Sequence, residues 1–90
     1  MKYLNLFESF LPNDEESDKV YKYVNSKYLI GKNEMGKYVL VDEKTIYISG
    51  HFSSKKRAID KIYNQIKDIF TEYNESSIRL GIRKFINENI

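Results

Sequence analysis

The hydrophobic positions of the chain follow a helical spacing at both ends and a strand spacing in the middle. Within residues 1–11 the apolar side chains recur three, four and seven positions apart, which predicts an amphipathic helix that ends before Pro12. Asn13 and Glu16 have the spacing of a capping box, and the acidic residues between them suit a helix start. A second helix is therefore predicted over residues 14–26. The candidates for its buried side are Val20, Tyr21, Val24 and, just beyond it, Tyr28.

The central segment is rich in β-branched and aromatic residues and is broken by turn-forming residues. It predicts strands at 28–32, 37–41 and 45–49, joined by turns at 33–36 and 42–44. Three short strands with short turns form an antiparallel meander. Such a sheet needs another element to cover one of its faces.

The most regular helical pattern in the chain runs from residue 53 to residue 73. Its apolar face is formed by Ile59, Ile62, Tyr63, Ile66, Ile69, Phe70 and Tyr73. Its opposite side carries Lys56, Asp60, Lys61, Asn64, Lys67, Asp68 and Thr71. The spacing predicts one long amphipathic helix that lies across the sheet.

The last segment fits two structures. A helix capped by Asn74, Ser76 or Ser77 places Ile78, Ile82, Phe85 and Ile86 on one face. The alternation of Ile78, Leu80 and Ile82 with polar residues or glycine also fits a strand at 77–83. The helix is preferred, which gives an α+β fold: a three-stranded antiparallel meander covered by one long helix, with helices before and after it. We expect a single domain over residues 1–90, in which 1–11 docks on the core or is removed and 13–90 is globular.

Composition narrows the class of protein. The 90 residues include no cysteine, so the chain has no disulfide framework, thiolate metal site or cysteine nucleophile. The longest apolar runs are far shorter than the roughly 18 residues of a membrane helix, and the amino terminus lacks the pattern of a signal peptide. We therefore expect a soluble, intracellular protein that does not enter a membrane.

The small net charge of +2 conceals two basic blocks. Residues 19–37 contain five lysines and one glutamate, and residues 51–67 contain five cations and one aspartate. Five acidic residues among the first 18 offset much of this charge. The nearly neutral total therefore hides an uneven distribution of charge along the chain.

The sequence offers no pattern typical of a catalytic or metal site. His51 is the single histidine, no nucleophile elbow surrounds the nearby serines, and the four glycines are too scattered for a phosphate-binding loop. The carboxylates lack the spacing of metal ligands. We expect a non-enzymatic protein with no metal, no cofactor and no small-molecule substrate.

The start of the long helix is the best candidate for a binding surface. Ser53 or Ser54 caps a first turn that holds three cations, although a helix start favours acidic residues. An anion contributed by a partner would offset this cost. The candidate residues for anion or partner binding are Ser53, Ser54, Lys55, Lys56, Arg57, Lys61 and Tyr47.

Two further alternatives stay open. Lysines and tyrosines alternate through residues 19–37, a pattern that suits sequence-tolerant nucleic-acid binding by this block together with 51–67. With eight tyrosines but only three arginines, we favour a protein partner over nucleic acid. A structural role with self-association into a homo-oligomer is the other alternative.

Residues 36–39, residues 46–52 and Ala58 form a pattern of strands followed by a helix. In this pattern the chain resembles the three-strand-plus-helix DNA-binding domains of plant AP2 factors and of integrase arm-binding domains. The resemblance implies the same layout of a sheet with a packed helix. Those families contact DNA through Arg and Trp on the exposed strand face, where this chain has Lys37, Asp42, Glu43 and Tyr47, so no DNA-contact residue is transferred.

The amino terminus resembles the Met-Lys-x-Leu-x-Leu-Phe-Glu-x-Phe start of many small tailed-phage proteins. Within it, Leu6, Phe7, Glu8 and Ser9 are similar to the Leu-x-Glu site that prohead proteases of T-even-like phages cut before a small residue. The resemblance implies a phage accessory protein in the host cytoplasm or in the virion head. Together with the expected binding surface, it predicts a protein that binds, and in doing so inhibits, a host or defence protein.

Overall fold

The computed structural model describes residues 13–43 and 46–90. The predicted first helix and the cleavage motif at 6–9 lie outside these residues. The elements, in chain order, are α1 (Asp14–Lys27), β1 (Tyr28–Lys32), β2 (Tyr38–Asp42), β3 (Tyr47–Phe52), α2 (Lys55–Ile66) and α3 (Glu75–Asn89). The predicted α+β class is confirmed.

The three strands form an antiparallel meander in the order β1-β2-β3. β1 pairs with β2 from Tyr28 opposite Asp42 to Lys32 opposite Tyr38. β3 lies later in the chain than the predicted strand at 45–49. Its last residue, Phe52, pairs with Tyr38 at the start of β2. The β2–β3 pairing also shifts register between Leu40 and Val41.

Side chains and backbone together fix the tight turn between β1 and β2. The Oδ1 of Asn33 accepts hydrogen bonds from the amides of Met35 and Lys37, each at 3.0 Å. Gly36 has a φ of 77°, a left-handed conformation that favours glycine. The predicted turn at 33–36 is therefore present, and it sets the register of the hairpin.

α1 and α3 run parallel to each other. The amide of Asn13 donates to Ser77 Oγ at 2.8 Å, near the start of both helices. Further along, Lys84 Nζ lies 3.4 Å from Asp18 Oδ1. α3 is a helix throughout, so the alternative strand at 77–83 is wrong, and the predicted face of Ile78, Ile82, Phe85 and Ile86 is buried as expected.

α2 is shorter than predicted. It ends at Ile66, and residues 67–73 form successive turns instead of two further helical turns. The amide of Ile69 donates to the carbonyl of Ile66 at 2.9 Å, which closes a tighter turn than an α-helix. Phe70 then packs edge-on against Tyr23 of α1, with ring centroids 5.4 Å apart. This aromatic contact holds the chain in its path from α2 back towards α3.

α2 covers the inner face of the sheet, as predicted, and the other two helices complete the core at the side of β1. α2 packs against β2 and β3, whereas α1 and α3 contact β1. The apolar core between the layers consists of Val20, Val24, Tyr28, Ile30, Tyr38, Leu40, Ala58, Ile59, Ile62, Ile66, Ile78, Ile82, Phe85 and Ile86. Ile59, near the start of α2, and Ile82 of α3 are buried in the same core. The start of α2 therefore lies beside α3.

Candidate functional site

The first turn of α2 stays exposed, as the sequence predicts. Ser54 is the N-cap, and its hydroxyl accepts a hydrogen bond from the amide of Arg57 at 3.3 Å. Lys55, Lys56 and Arg57 follow as exposed cations, and the turn contains no acidic residue. The unfavourable position of these charges at the helix start is therefore a property of the folded protein.

A cleft separates this turn from the flank of α3. Its volume is about 500 Å³, and its lining consists of Lys55, Lys56, Ile59, Arg79, Arg83 and Asn87. We call this feature the basic cleft. Lys55 Nζ donates to Asn87 Oδ1 across it at 2.8 Å, which ties the two helices together at one end. Ile59, which is 7% exposed, provides an apolar element beside the charged groups.

The structure brings together only part of the predicted set. Lys55 and Lys56 line the basic cleft, whereas the exposed residues Ser53, Arg57 and Lys61 lie outside its lining. Ser54 acts through its cap on the helix start. Tyr47 belongs to β3, but its side chain is not among those that the structure describes.

Arg79 is held in place from several sides. Its Nη1 lies 2.6 Å from Asp60 Oδ1, and its Nε lies 3.4 Å from Glu75 Oε2. The guanidinium also stacks on Tyr63, 4.5 Å from the ring centroid. The hydrogen bond to Asp60 is the main cause of the raised pKa of Arg79. Arg79 therefore enters the basic cleft with its planar group already oriented.

The remaining cations are not neutralised in this way. Lys56 and Arg83 form no ion pair within the described part of the chain. The carboxylates of Asp60 and Glu75, beside the cleft, both pair with Arg79. The basic cleft consequently retains an excess of positive charge.

Sequence reasoning missed the contribution of α3. Arg79, Arg83 and Asn87 follow one another at intervals of four residues, so they form a single polar flank once the segment is helical. This spacing in the sequence could have indicated a shared polar face on α3. It showed neither that α2 runs antiparallel beside α3 nor that both helices present cations to one cleft.

The basic block at 19–37 has some of its aromatic and cationic groups in contact with each other within the fold. Tyr28 of this block and Tyr38, the residue that follows the block, are buried in the core. Lys27 lies 5.4 Å from the ring centroid of Tyr28, and Lys32 lies 5.0 Å from that of Tyr38. Two of the five lysines of this block thus make cation–π contacts within the fold.

The other candidate positions do not combine with further functional groups among the described residues. His51 is exposed near the end of β3. Across residues 13–43 and 46–90, no three His, Asp or Glu side chains come together as a metal-binding group. None of the described helices has the length and apolar character required to span a membrane.

No protein-family model, no curated protein and no solved structure matches the chain.

Proposed function

We propose that this chain is a small non-enzymatic binding protein whose basic cleft receives an acidic segment of a partner protein. The observation that carries the proposal is that cations from two separate helices face one cleft while two of them, Lys56 and Arg83, lack an ion-pairing carboxylate among the described residues. Charged hydrogen bonds from such groups are stronger than neutral ones. An acidic partner would offset the cost of the cations at the start of α2.

The composition of the cleft favours a protein segment. Ile59 contributes a small apolar area to the lining next to the cations, and protein interfaces commonly combine apolar and charged groups. A nucleic-acid partner would draw on exposed aromatic rings for stacking, but Tyr28 and Tyr38 are occupied in the core. The likeness of the amino terminus to tailed-phage proteins supports a phage accessory role, with a host or phage protein as the partner.

The test compares two charge-reversed variants. The first, Lys55→Glu/Lys56→Glu/Arg83→Glu, changes the basic cleft. The matched control, Lys22→Glu/Lys37→Glu/Lys67→Glu, changes the net charge equally at exposed positions outside the cleft. We expect the first to bind a fluorescent peptide of Asp and Glu residues flanking one Leu at least about tenfold more weakly than the unaltered chain, and the control to bind normally.

Affinity capture from source cells with the same three proteins extends the test to the natural partner. A protein retained by the unaltered chain and the control, but not by the cleft variant, supports the proposal. Equal retention by all three proteins contradicts it. Circular dichroism establishes that each variant is folded before either comparison is made.

Duplex DNA forms a further arm of the experiment. A nucleic-acid binder loses affinity with a log–log salt slope of about −0.9 for each phosphate that it neutralises. We expect no binding of that kind. Tight duplex binding with a steep salt slope, weakened equally by both variants, would contradict the protein-binding proposal in favour of nucleic acid.

A further inference from the structure

We infer that the acidic group received by the basic cleft is a phosphate monoester, carried on a phosphorylated side chain of the partner. The inference rests on the proposed function, because it specifies the ligand of the same cleft. Three features of the cleft lead to it: its charge balance, the arrangement of its two arginines, and the donors on its opposite wall.

The charge balance matches a dianion. The lining contains four cations, Lys55, Lys56, Arg79 and Arg83. Asp60 and Glu75 pair with Arg79 and offset two of these charges. The excess of two positive charges corresponds to the charge of about −1.5 to −2 that a phosphate monoester carries near neutral pH. A single carboxylate carries only half of the dianion's charge.

The two arginines provide planar groups of the kind that bind phosphate. Arg79 and Arg83 lie four residues apart, and so about one turn apart, on the same flank of α3. Asp60 contacts Nη1 of Arg79 and Glu75 contacts Nε, and neither contact uses Nη2. Because Tyr63 supports the same guanidinium, less side-chain freedom is lost when this group binds a ligand.

The opposite wall supplies donors of a second kind. Lys55, held by Asn87, and Lys56 are compact charges that contact an anion without a fixed orientation. A phosphate has three terminal oxygens to share among arginine and lysine donors, whereas a carboxylate has two oxygens. Ile59 would contact the carbon atoms that join the phosphate to the partner's backbone.

The experiment uses three peptides of one sequence that differ at a single position: phosphoserine, glutamate or serine. Their dissociation constants are measured with the full chain by fluorescence polarisation near neutral pH. We expect the phosphoserine peptide to bind at least about tenfold more tightly than the glutamate peptide, and the serine peptide to bind weakest. Binding of the phosphoserine peptide should also weaken below about pH 6, as the phosphate loses its second charge.

Variants then test the arginines. Arg83→Gln removes the unpaired guanidinium from the cleft, and Arg57→Gln is the matched control, since it neutralises an exposed arginine outside the lining. We expect Arg83→Gln to abolish the preference for phosphoserine over glutamate and Arg57→Gln to preserve it. Thermal unfolding of each variant separates a loss of binding from a loss of fold.

The outcomes distinguish this inference from the proposed function. Equal binding of the phosphoserine and glutamate peptides, together with dependence on the cleft cations, would overturn the phosphate inference and leave the acidic partner standing. Inorganic phosphate provides the remaining arm. If it binds as tightly as the phosphoserine peptide, the site takes a free anion and the phosphorylated side chain is the wrong source.

Discussion

Three residues that cap the helices show how much local chemistry decides. Asn13, Ser54 and Asn74 each accept a hydrogen bond from the amide three residues later, at 3.2, 3.3 and 2.8 Å. All three were candidate caps from the sequence, because side-chain oxygens of this type satisfy amides that a helix start leaves free. The predicted capping box is nevertheless incomplete, since the amide of Asn13 donates to Ser77 Oγ.

Gly81 permits the close contact between α1 and α3. A Cβ atom at this position would lie 2.6 Å from the carbonyl oxygen of Ser17 and 2.8 Å from Cβ of Val20. We predict that Gly81→Ala lowers the free energy of unfolding by about 2 kcal/mol, because overpacking outweighs the gain of about 1 kcal/mol in helix propensity. Urea unfolding measures the change.

Gly31 provides the control for this substitution. Apart from its chain neighbours, no residue has an atom within 4 Å of a Cβ placed on Gly31, and the φ of Gly31 is not in the left-handed region. Gly31→Ala should therefore leave stability unchanged or raise it by up to about 1 kcal/mol. If Gly81→Ala is also neutral or stabilising, the close helix contact is not a constraint on the fold.

At the scale of elements, the end of α2 is where local periodicity and tertiary packing disagree. The apolar spacing continues through Ile69, Phe70 and Tyr73, yet the helix ends at Ile66. β-branched and aromatic residues have modest helix propensity, so few local interactions favour two more turns. The ring contacts of Phe70 with Tyr23 and Tyr73 stabilise the turn conformation instead.

This boundary makes two similar isoleucines energetically different. Ile66 is 0% exposed and Ile69 is 52% exposed. We predict that Ile66→Val lowers the free energy of unfolding by about 0.5–1.5 kcal/mol, whereas Ile69→Val changes it by less than about 0.5 kcal/mol. Chemical denaturation of both variants gives the comparison. Equal losses would show that the helix continues and buries Ile69.

At the scale of the whole molecule, the described residues form two layers, and the outer face of the sheet carries partly exposed apolar side chains. Leu29, Val41 and Ile48 occupy paired positions across the three strands. Leu29 and Ile48 are 52% and 51% exposed, respectively. On the inner face, by contrast, Leu40 of β2 is fully buried under the helices. Among the described residues, burial is therefore concentrated on the inner face of the sheet.

Substitutions on the two faces should differ accordingly. We predict that Ile48→Thr, which keeps a β-branched residue on the outer face, changes the free energy of unfolding by less than about 0.5 kcal/mol. Leu40→Ala should lower it by about 2–5 kcal/mol, because it leaves a cavity in the core. Thermal and urea unfolding provide the measurements. A comparable loss for Ile48→Thr would indicate that the outer face is covered in solution.

The candidate site shows the same division between local and long-range information. Lys55 and Lys56 were predicted because their conflict with the start of α2 depends only on neighbouring residues. Arg79 and Arg83 lie more than 20 positions away in the chain. Their proximity depends on how α2 and α3 pack, and that packing is decided by the burial of Ile59, Ile78 and Ile82 in a common core.

The sequence by itself determined the helix at 14–26, the three-stranded meander, the candidates for the helix caps, the tight turn at 33–36 and the exposure of the cations that begin α2. These features follow from hydrogen bonds and apolar spacing over a few residues. Only the tertiary structure decided where α2 ends, that three helices share the sheet, and that α3 completes the basic cleft. Those outcomes depend on how side chains distant in sequence fit together. The hydrophobic effect is proportional to the apolar area removed from water, so an apolar pattern alone does not specify which element covers a given apolar face.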